Sequence, residues 1–369
     1  MTQNQILPKK YTIIGQGLAG SILAFMLMQE GQDVQIVDSE QIPSSSKIAA
    51  GIYNPVTGRK LVKTWLADKI FPFLEDFYPQ LEKELDAKFF HPIPIYRPFV
   101  NEASQKYFKS DHIPDDFSDF ATLEFENINH QNIVNSQLGG VTTKHSGWVD
   151  LKVMLEAFRI YFLHKNVLQV VSGVNGLEEP QGRKDASIFD IIPLRHSVLA
   201  VEKIIYCEGF KGINNPYFNY LPFSPVKGEL LDIEIQNVDI QEIINQGAFI
   251  IPLGDDVYRL GATYSWHELD FTPTEQGKAD LTEKYQKLMK PQMKILSHRA
   301  GVRPATRDRR PFIGMHPEFE SLGIFNGLGS KGVSLAPFFA KQFVDFLVYK
   351  KELYPEVNIN RYASLYLGV

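Results

Sequence analysis

The sequence predicts an α/β protein in which a parallel βαβ domain is interrupted twice. The two interruptions pair as a second domain of mainly antiparallel sheet with helices. Three observations predict this. A strand, a glycine turn, a helix and a second strand follow one another from Tyr11 to Glu40. Strand–helix–strand character returns near residues 150–210 and again at the C-terminal end. The blocks between them read as antiparallel β. The corresponding divisions are 1–65, 146–215 and 296–369 for the first domain, and 66–145 and 216–295 for the second.

Tyr11 to Ile14 reads as a short buried parallel strand. Gly15, Gly17 and Gly20 then fall in G-x-G-x-x-G spacing. In that pattern the first glycine permits the tight turn, the second lets backbone approach a pyrophosphate, and the third lets the helix pack close to the strand. Leu18 and Ala19 open a helix running to about Gln29, with Ile22, Leu23, Phe25, Met26 and Leu27 on its buried side. Gly31 is placed to end it. Val34 to Val37 forms the second strand, closed by Asp38, whose carboxylate would sit where a ribose hydroxyl of an adenosine can be bound. This unit is Rossmann-like. Alone it does not choose between FAD and NAD, and no arginine directly follows Asp38 to read the 2′-phosphate of NADP.

Further along, "KIAAGIYNPVTGRK" reads as a loop or short helix start, and Trp65 to Leu85 as helix. "PIPIYRPFV" carries three prolines, so it suits an edge strand or extended segment. Asp150 is a candidate N-cap for the helix that follows, and "NVLQVVSGV" and "SVLAVEKIIYCEGF" read as strands, the latter ending near Gly209. From "SPVKGELLDIEI" to "GATYSW" the pattern is antiparallel, with Gly-Asp-Asp as a hairpin turn. "TPTEQGKADLTEKYQKLMK" is a helix, "LGIFNGLG" a strand and glycine loop, and a last helix starts near Ser334.

Composition narrows the function. A net charge of −5 gives no global pull toward nucleic acid or anionic membrane. Cys207 is the sole cysteine, so no internal disulfide forms, which fits a reducing compartment. No transmembrane span or signal peptide is evident, and a cytoplasmic location is expected. The sequence lacks CxxC pairs, HExxH, G-x-S-x-G and Walker A patterns, so a metal site is not expected. The oligomeric state is not readable from these features.

Several separated stretches carry a resemblance. "IIGQGLAGSILAFML…IVDSE", "GVRPATRDRRPFIG" and "NGLGSKGVSLAPFFAKQ", with "GWVDLKVML", are similar to segments of the FAD-dependent amine and amino-acid oxidoreductases, the group of D-amino-acid, sarcosine and glycine oxidases. Within that group, "VRPATRDRRPFIG", "GLGSKGVSLAP", "GATYSW" and "AAGIYNP" look most like the FAD-dependent domain of the bifunctional enzyme maturing 5-methylaminomethyl-2-thiouridine in tRNA. That domain removes a carboxymethyl group oxidatively. The chain departs from it in having no methyltransferase half and in carrying Lys331 where arginine tends to stand.

The resemblance implies noncovalent FAD, with Cys207 a buried apolar residue rather than an attachment point. The implied cofactor contacts are Gly15, Gly17, Leu18, Ala19, Gly20, Asp38, Ser39, Ala50, Gly51, Gly209, Gly327, Gly329, Ser330, Lys331, Gly332 and Val333, with the Val174 backbone at adenine. Backbone N–H groups where the last helix begins would stabilise negative charge developing on the flavin ring, and Lys331 would add to them. Arg303 matches the family's substrate-carboxylate arginine, a planar fork that binds the anion bidentately; an ion pair with Asp308 is its structural alternative. Tyr53, Tyr258 and Tyr264 are candidate pocket aromatics. The expected reaction is oxidation of the carbon–nitrogen bond of a small carboxylated amine, glycine- or N-alkyl-glycine-like. Carboxymethyl removal from tRNA, an NAD-dependent dehydrogenase and a non-catalytic flavoprotein-like scaffold are the alternatives. Whether oxygen or another acceptor takes the electrons stays open.

Overall fold

Tyr11, Thr12, Ile13 and Ile14 show no polar–apolar alternation, and all four are buried, as a parallel strand covered on both faces requires. The computed structural model describes residues 9–39, 44–58, 61–109, 117–171 and 201–367; Val174 lies outside them. Among the described residues six strands form the first sheet, in the order Leu168–Val170, Val34–Asp38, Lys9–Ile14, Val201–Tyr206, Leu322–Asn326 and Phe312–Met315. All neighbours are parallel except the final pair.

The first helix spans Leu18–Gln29. More of it is buried than one face, from Gly20 continuously to Leu27. The cause is its place against the sheet and two other helices: Phe25 meets Phe158 of the Leu151–His164 helix edge-on at 5.8 Å, and Leu18 lies so near Gly332 that a Cβ there would fall 2.8 Å from its Cδ2. Asp150 caps the Leu151–His164 helix, accepting from the Lys152 and Val153 amides at 3.0 and 3.1 Å. The last long helix, Gly332–Tyr349, starts two residues earlier than the sequence pattern indicates. The helix Ala67–Leu85 holds its beginning in place, the Tyr78 hydroxyl donating to the Val333 carbonyl at 2.7 Å.

Among the described residues the second sheet has eight strands, in the order Lys294–Arg303, Val226–Glu234, Val257–Gly261, Ala248–Gly254, Ile243–Gln246, Ile95–Pro98, Gly140–Thr143 and Ala121–Glu124. Only the Ile243–Gln246 and Ile95–Pro98 pair is parallel. Gly254, Asp255 and Asp256 all have positive φ and turn the predicted hairpin. The proline-rich segment differs from the edge strand expected. It is internal, paired on both sides. The prolines permit this because Pro94 precedes the strand, using its carbonyl to accept from the Ile243 amide at 3.0 Å, and Pro98 ends it. Tyr96 and Arg97, which keep their N–H groups, fill the interior. Among the described residues no helix is long and apolar enough to cross a membrane.

Candidate active site

A cavity runs from the glycine turn of the first sheet to one face of the second. Three glycines shape its first end for different reasons. Gly15 has φ +103°, and a Cβ on it would come within 2.7 Å of the Cys207 carbonyl oxygen. A Cβ on Gly20 would collide with the Gly15 carbonyl. A Cβ on Gly17 would meet nothing closer than Ser46 Oγ at 3.6 Å. The chain's own packing therefore accounts for Gly15 and Gly20 but not for Gly17, whose missing side chain leaves room at the cavity wall. Gly17 offers no side chain to cap the helix that starts there, whose first residues Leu18 and Ala19 line the cavity.

The Gln16 amide donates to Asp38 Oδ1 at 2.9 Å and the Leu18 amide to Ser46 Oγ at 3.2 Å. Burial raises the pKa of Asp38, and the Gln16 amide opposes that rise. Ser39 Oγ is buried with no hydrogen-bond partner among the described residues.

The last helix opens onto the middle of the cavity, again without a side-chain cap. Gly327 and Gly329 take positive φ in the loop before it. Lys331 is exposed to the cavity. Its pKa is lowered, first by desolvation and then by Arg310 and Arg309. No carboxylate pairs with any of these three cations among the described residues. Arg310 lies over the Trp65 ring, 4.0 Å from its centroid.

Arg303 occupies the far end. Its guanidinium lies across Gly228, where any Cβ would overlap it. Tyr264 covers it, with 4.5 Å between the guanidinium carbon and the ring centroid. Its polar contacts are long ones, from Nη1 to the Thr263 and Lys227 carbonyls at 3.4 and 3.5 Å. Asp308 pairs instead with Arg361 at 3.0 Å. Burial works against the Arg303 charge, and no described carboxylate compensates it.

Most of the sequence-predicted residues come together here. Leu18, Ala19, Ala50, Gly51, Gly209 and Ser330 line the cavity. So do Gly329, Gly332 and Val333. Gly20 and Gly327 stand behind the wall, Gly327 against Thr306. Two of the three tyrosines lie elsewhere. Tyr53 is buried, stacked on Phe90 at 5.4 Å. Tyr258 belongs to the core under the second sheet, its hydroxyl donating to the Val238 carbonyl at 2.8 Å. Both are large aromatics that the core absorbs.

Sequence reasoning missed Glu208, Asn245 and Phe249, which also line the cavity. Glu208 Oε2 accepts from Asn215 at 2.7 Å, Oε1 is buried without a described partner, and burial pushes the carboxyl up to about 7. Cys207 is fully buried and its thiol pKa is raised, so it is a poor nucleophile.

The model of the "FAD dependent oxidoreductase" family matches residues 10–346. The chain belongs to this family of FAD-dependent oxidoreductases. The glycine oxidase of Pseudomonas putida is 23% identical over 358 residues, covering 92% of this chain and 94% of its own. The bifunctional tRNA 5-methylaminomethyl-2-thiouridine biosynthesis protein MnmC of Marinobacter nauticus is 21% identical over 361 residues, covering 90% of this chain but 54% of its own length. A glycine oxidase of Bacillus subtilis is 30% identical over 144 residues, 38% of this chain and 37% of its own. Among solved structures, glycine oxidase from Bacillus cereus has a TM-score of 0.73 at 21% identity, covering 93% of this chain and 96% of that one. Iminodiacetate oxidase from Chelativorans has a TM-score of 0.71 at 17% identity, covering 96% and 98%.

The chain is therefore an FAD-dependent oxidoreductase, and its residues fit that cofactor. Gly17 leaves a cradle, Asp38 and the orphaned Ser39 hydroxyl offer polar groups where the second strand ends, and two helix N-termini open onto one cavity.

Proposed function

We propose that this chain oxidises the carbon–nitrogen bond of a small primary or secondary amine bearing a carboxylate, a glycine or N-alkyl glycine. The observation that carries this reading is Arg303: a half-buried guanidinium on the cavity wall, with no described carboxylate partner. When bound, FAD supplies the two-electron oxidation that turns the substrate CH–NH unit into C=N, which water then hydrolyses. Arg303 binds the carboxylate and orients the α-carbon. Tyr264 and Gly228 hold the guanidinium in place from either side. The amides of the Gly332–Tyr349 helix and Lys331 favour negative charge where they face the cavity.

A second reading, removal of a carboxymethyl group from a modified uridine in tRNA, is favoured by one feature. Lys331, Arg309 and Arg310 gather beside the cavity without a described counter-charge, and a polyanion suits them. The MnmC protein of Marinobacter nauticus aligns with 90% of this chain. Anaerobic bleaching of the bound flavin by glycine, sarcosine and carboxymethylaminomethyl-uridine tRNA tests both readings. Bleaching by millimolar sarcosine and none by tRNA at low salt supports the first. The reverse result replaces it with the second, and bleaching by neither overturns both.

A further inference from the structure

The face of the second sheet that floors the cavity carries one more polar side chain at a distance from Arg303. Register fixes its place. Leu230 lies opposite Gly261, Gly261 opposite Phe249, and Phe249 opposite Asn245. Gly228, under the Arg303 guanidinium, is two residues before Leu230 and shares its face. Gly228, Leu230, Phe249 and Asn245 all line the cavity. Leu230 and Phe249 close over Gly261, where a Cβ would overlap both side chains. The floor is thus a charged end, an apolar bar and an amide end.

Asn245 is half-buried on a face otherwise occupied by Ile243, Ile251 and Phe249, and its amide makes no hydrogen bond among the described residues. Such an amide both donates and accepts, and here it lines the cavity, where a ligand can engage it. Three strand spacings, about 14 Å, separate the strands of Gly228 and Asn245, and Gly228 is offset by two residues, about 7 Å, along its strand from the row that holds Asn245, so the two lie about 16 Å apart. Allowing about 3 Å for a hydrogen bond at each end leaves about 10 Å to be bridged. A glycine unit alone is too short for that span. At about 1.5 Å per bond, it needs roughly four more heavy atoms on nitrogen.

We infer that the substrate is an N-substituted glycine whose arm ends in a neutral hydrogen-bonding group, and that Asn245 is the residue that reads it. This rests on the carboxylated-amine reading given above and goes beyond it by specifying the nitrogen substituent. The terminal group is a hydroxyl or amide of a small amine, or the edge of a pyrimidine.

The test is anaerobic flavin bleaching of the FAD-loaded protein by sarcosine, N-butylglycine, N-(3-hydroxypropyl)glycine and 5-carboxymethylaminomethyluridine. The hydroxyl compound matches N-butylglycine in length but adds a polar end. In wild type, at least one polar-armed amine should reduce the flavin more efficiently than N-butylglycine by about 30-fold or more. Which of the two is faster tells whether the group belongs to a base or a simple arm. Asn245→Leu should bring the ratio toward one, with flavin content and visible spectrum as in wild type. Equal efficiencies in wild type, with sarcosine still bleaching the flavin, overturn the role of Asn245 and leave the carboxylated-amine reading standing. No bleaching by any of the four overturns both. Loss of flavin or an altered spectrum in Asn245→Leu assigns the residue to the cofactor and overturns the inference. The wild-type comparison stands even if that variant does not fold.

Discussion

Tyr264 stands over Arg303, its ring centroid 4.5 Å from the guanidinium carbon. Arg303 ends the strand Lys294–Arg303 and Tyr264 lies three residues beyond the strand Val257–Gly261, and Lys227 brings the two together. The Lys227 carbonyl accepts from Arg303, while its backbone exchanges hydrogen bonds with Ser265, next to Tyr264, at 2.8 and 3.0 Å. Its side chain is almost wholly buried and reaches Asp270 at 2.6 Å, further along the same segment. The guanidinium, whose N–H groups lie in one plane by its own chemistry, packs against Gly228 and the Tyr264 ring. That arrangement suits a planar carboxylate.

Arg303→Ala should therefore retain flavin and lose substrate capture. Breaking a desolvated, hydrogen-bonded charge pair costs about 2–5 kcal/mol, roughly 30- to several thousand-fold in efficiency. Arg303→Lys should recover only part of this, because an ammonium has no fork. Anaerobic reduction rates against substrate concentration measure it. If wild type reduces equally well with the decarboxylated amine, Arg303 does not hold a carboxylate.

Gly17→Val and Gly20→Ala should fail in different ways. A side chain at 17 enters open space on the cavity wall, so the protein should fold but purify nearly colourless. A methyl at 20 strikes the Gly15 carbonyl, so that variant should be destabilised by more than about 1 kcal/mol. Flavin absorbance per protein and urea denaturation separate the two outcomes. Full flavin occupancy in Gly17→Val would show that the pyrophosphate does not pass there.

The first sheet and its glycine turn were legible in the sequence because both depend on short-range rules: glycine spacing, an acid at the strand end, and apolar runs. Asp150 was legible as a cap for the same reason. Arg303 and the glycine loop were found by resemblance, and the structure gathers them with Lys331 at one cavity. Tyr53 and Tyr258 were not separable from Tyr264, since a tyrosine among apolar neighbours has the same local signature in core or pocket. Phe249 and Asn245 carried a usable signal: the tight turn at Gly247 makes them partners across a hairpin. Their place beside Arg303 depends on strand order in the sheet, which local pattern does not contain. The internal position of Ile95–Pro98 was hidden for that reason too.

Glu208 should make stability fall as pH rises. Burial pushes its carboxyl up to about 7 in the folded chain, against an ordinary value of 4.5. Between those values the folded state holds a proton that the unfolded state has lost, so alkalinity favours unfolding. Below the lower value the penalty is absent, and above the higher one it is complete, at most about 3 kcal/mol. Glu208→Gln keeps an acceptor for Asn215 and has no charge to bury. The stability difference between the variant and wild type should grow in the variant's favour from pH 5 to pH 8 (about the window those values define), read as melting temperature of the FAD-bound proteins. A difference that stays constant over that window would mean that the carboxyl is ionised in the fold.

The cluster of Lys331, Arg309 and Arg310 makes opposite demands on the two substrate readings. Arg309 and Arg310 lower the Lys331 pKa because like charges oppose its protonation, on top of the larger effect of desolvation. Replacing both with glutamate should raise that pKa. If charged Lys331 assists the reaction, the alkaline limb of the pH profile for a small N-alkyl glycine should move to higher pH in the double variant. A limb that does not move would mean that Lys331 is not the group titrating there. The same substitution removes charge that phosphates would need. Any tRNA binding should weaken steeply with salt in wild type, since each neutralised phosphate adds to the slope, and should be lost in Arg309→Glu with Arg310→Glu. Filter binding at low and moderate salt, run beside the pH profile, reads both effects from one pair of proteins. Tight tRNA binding that survives the double charge reversal would remove this cluster from the nucleic-acid reading and leave it a role, through Lys331, at the small-molecule cavity alone.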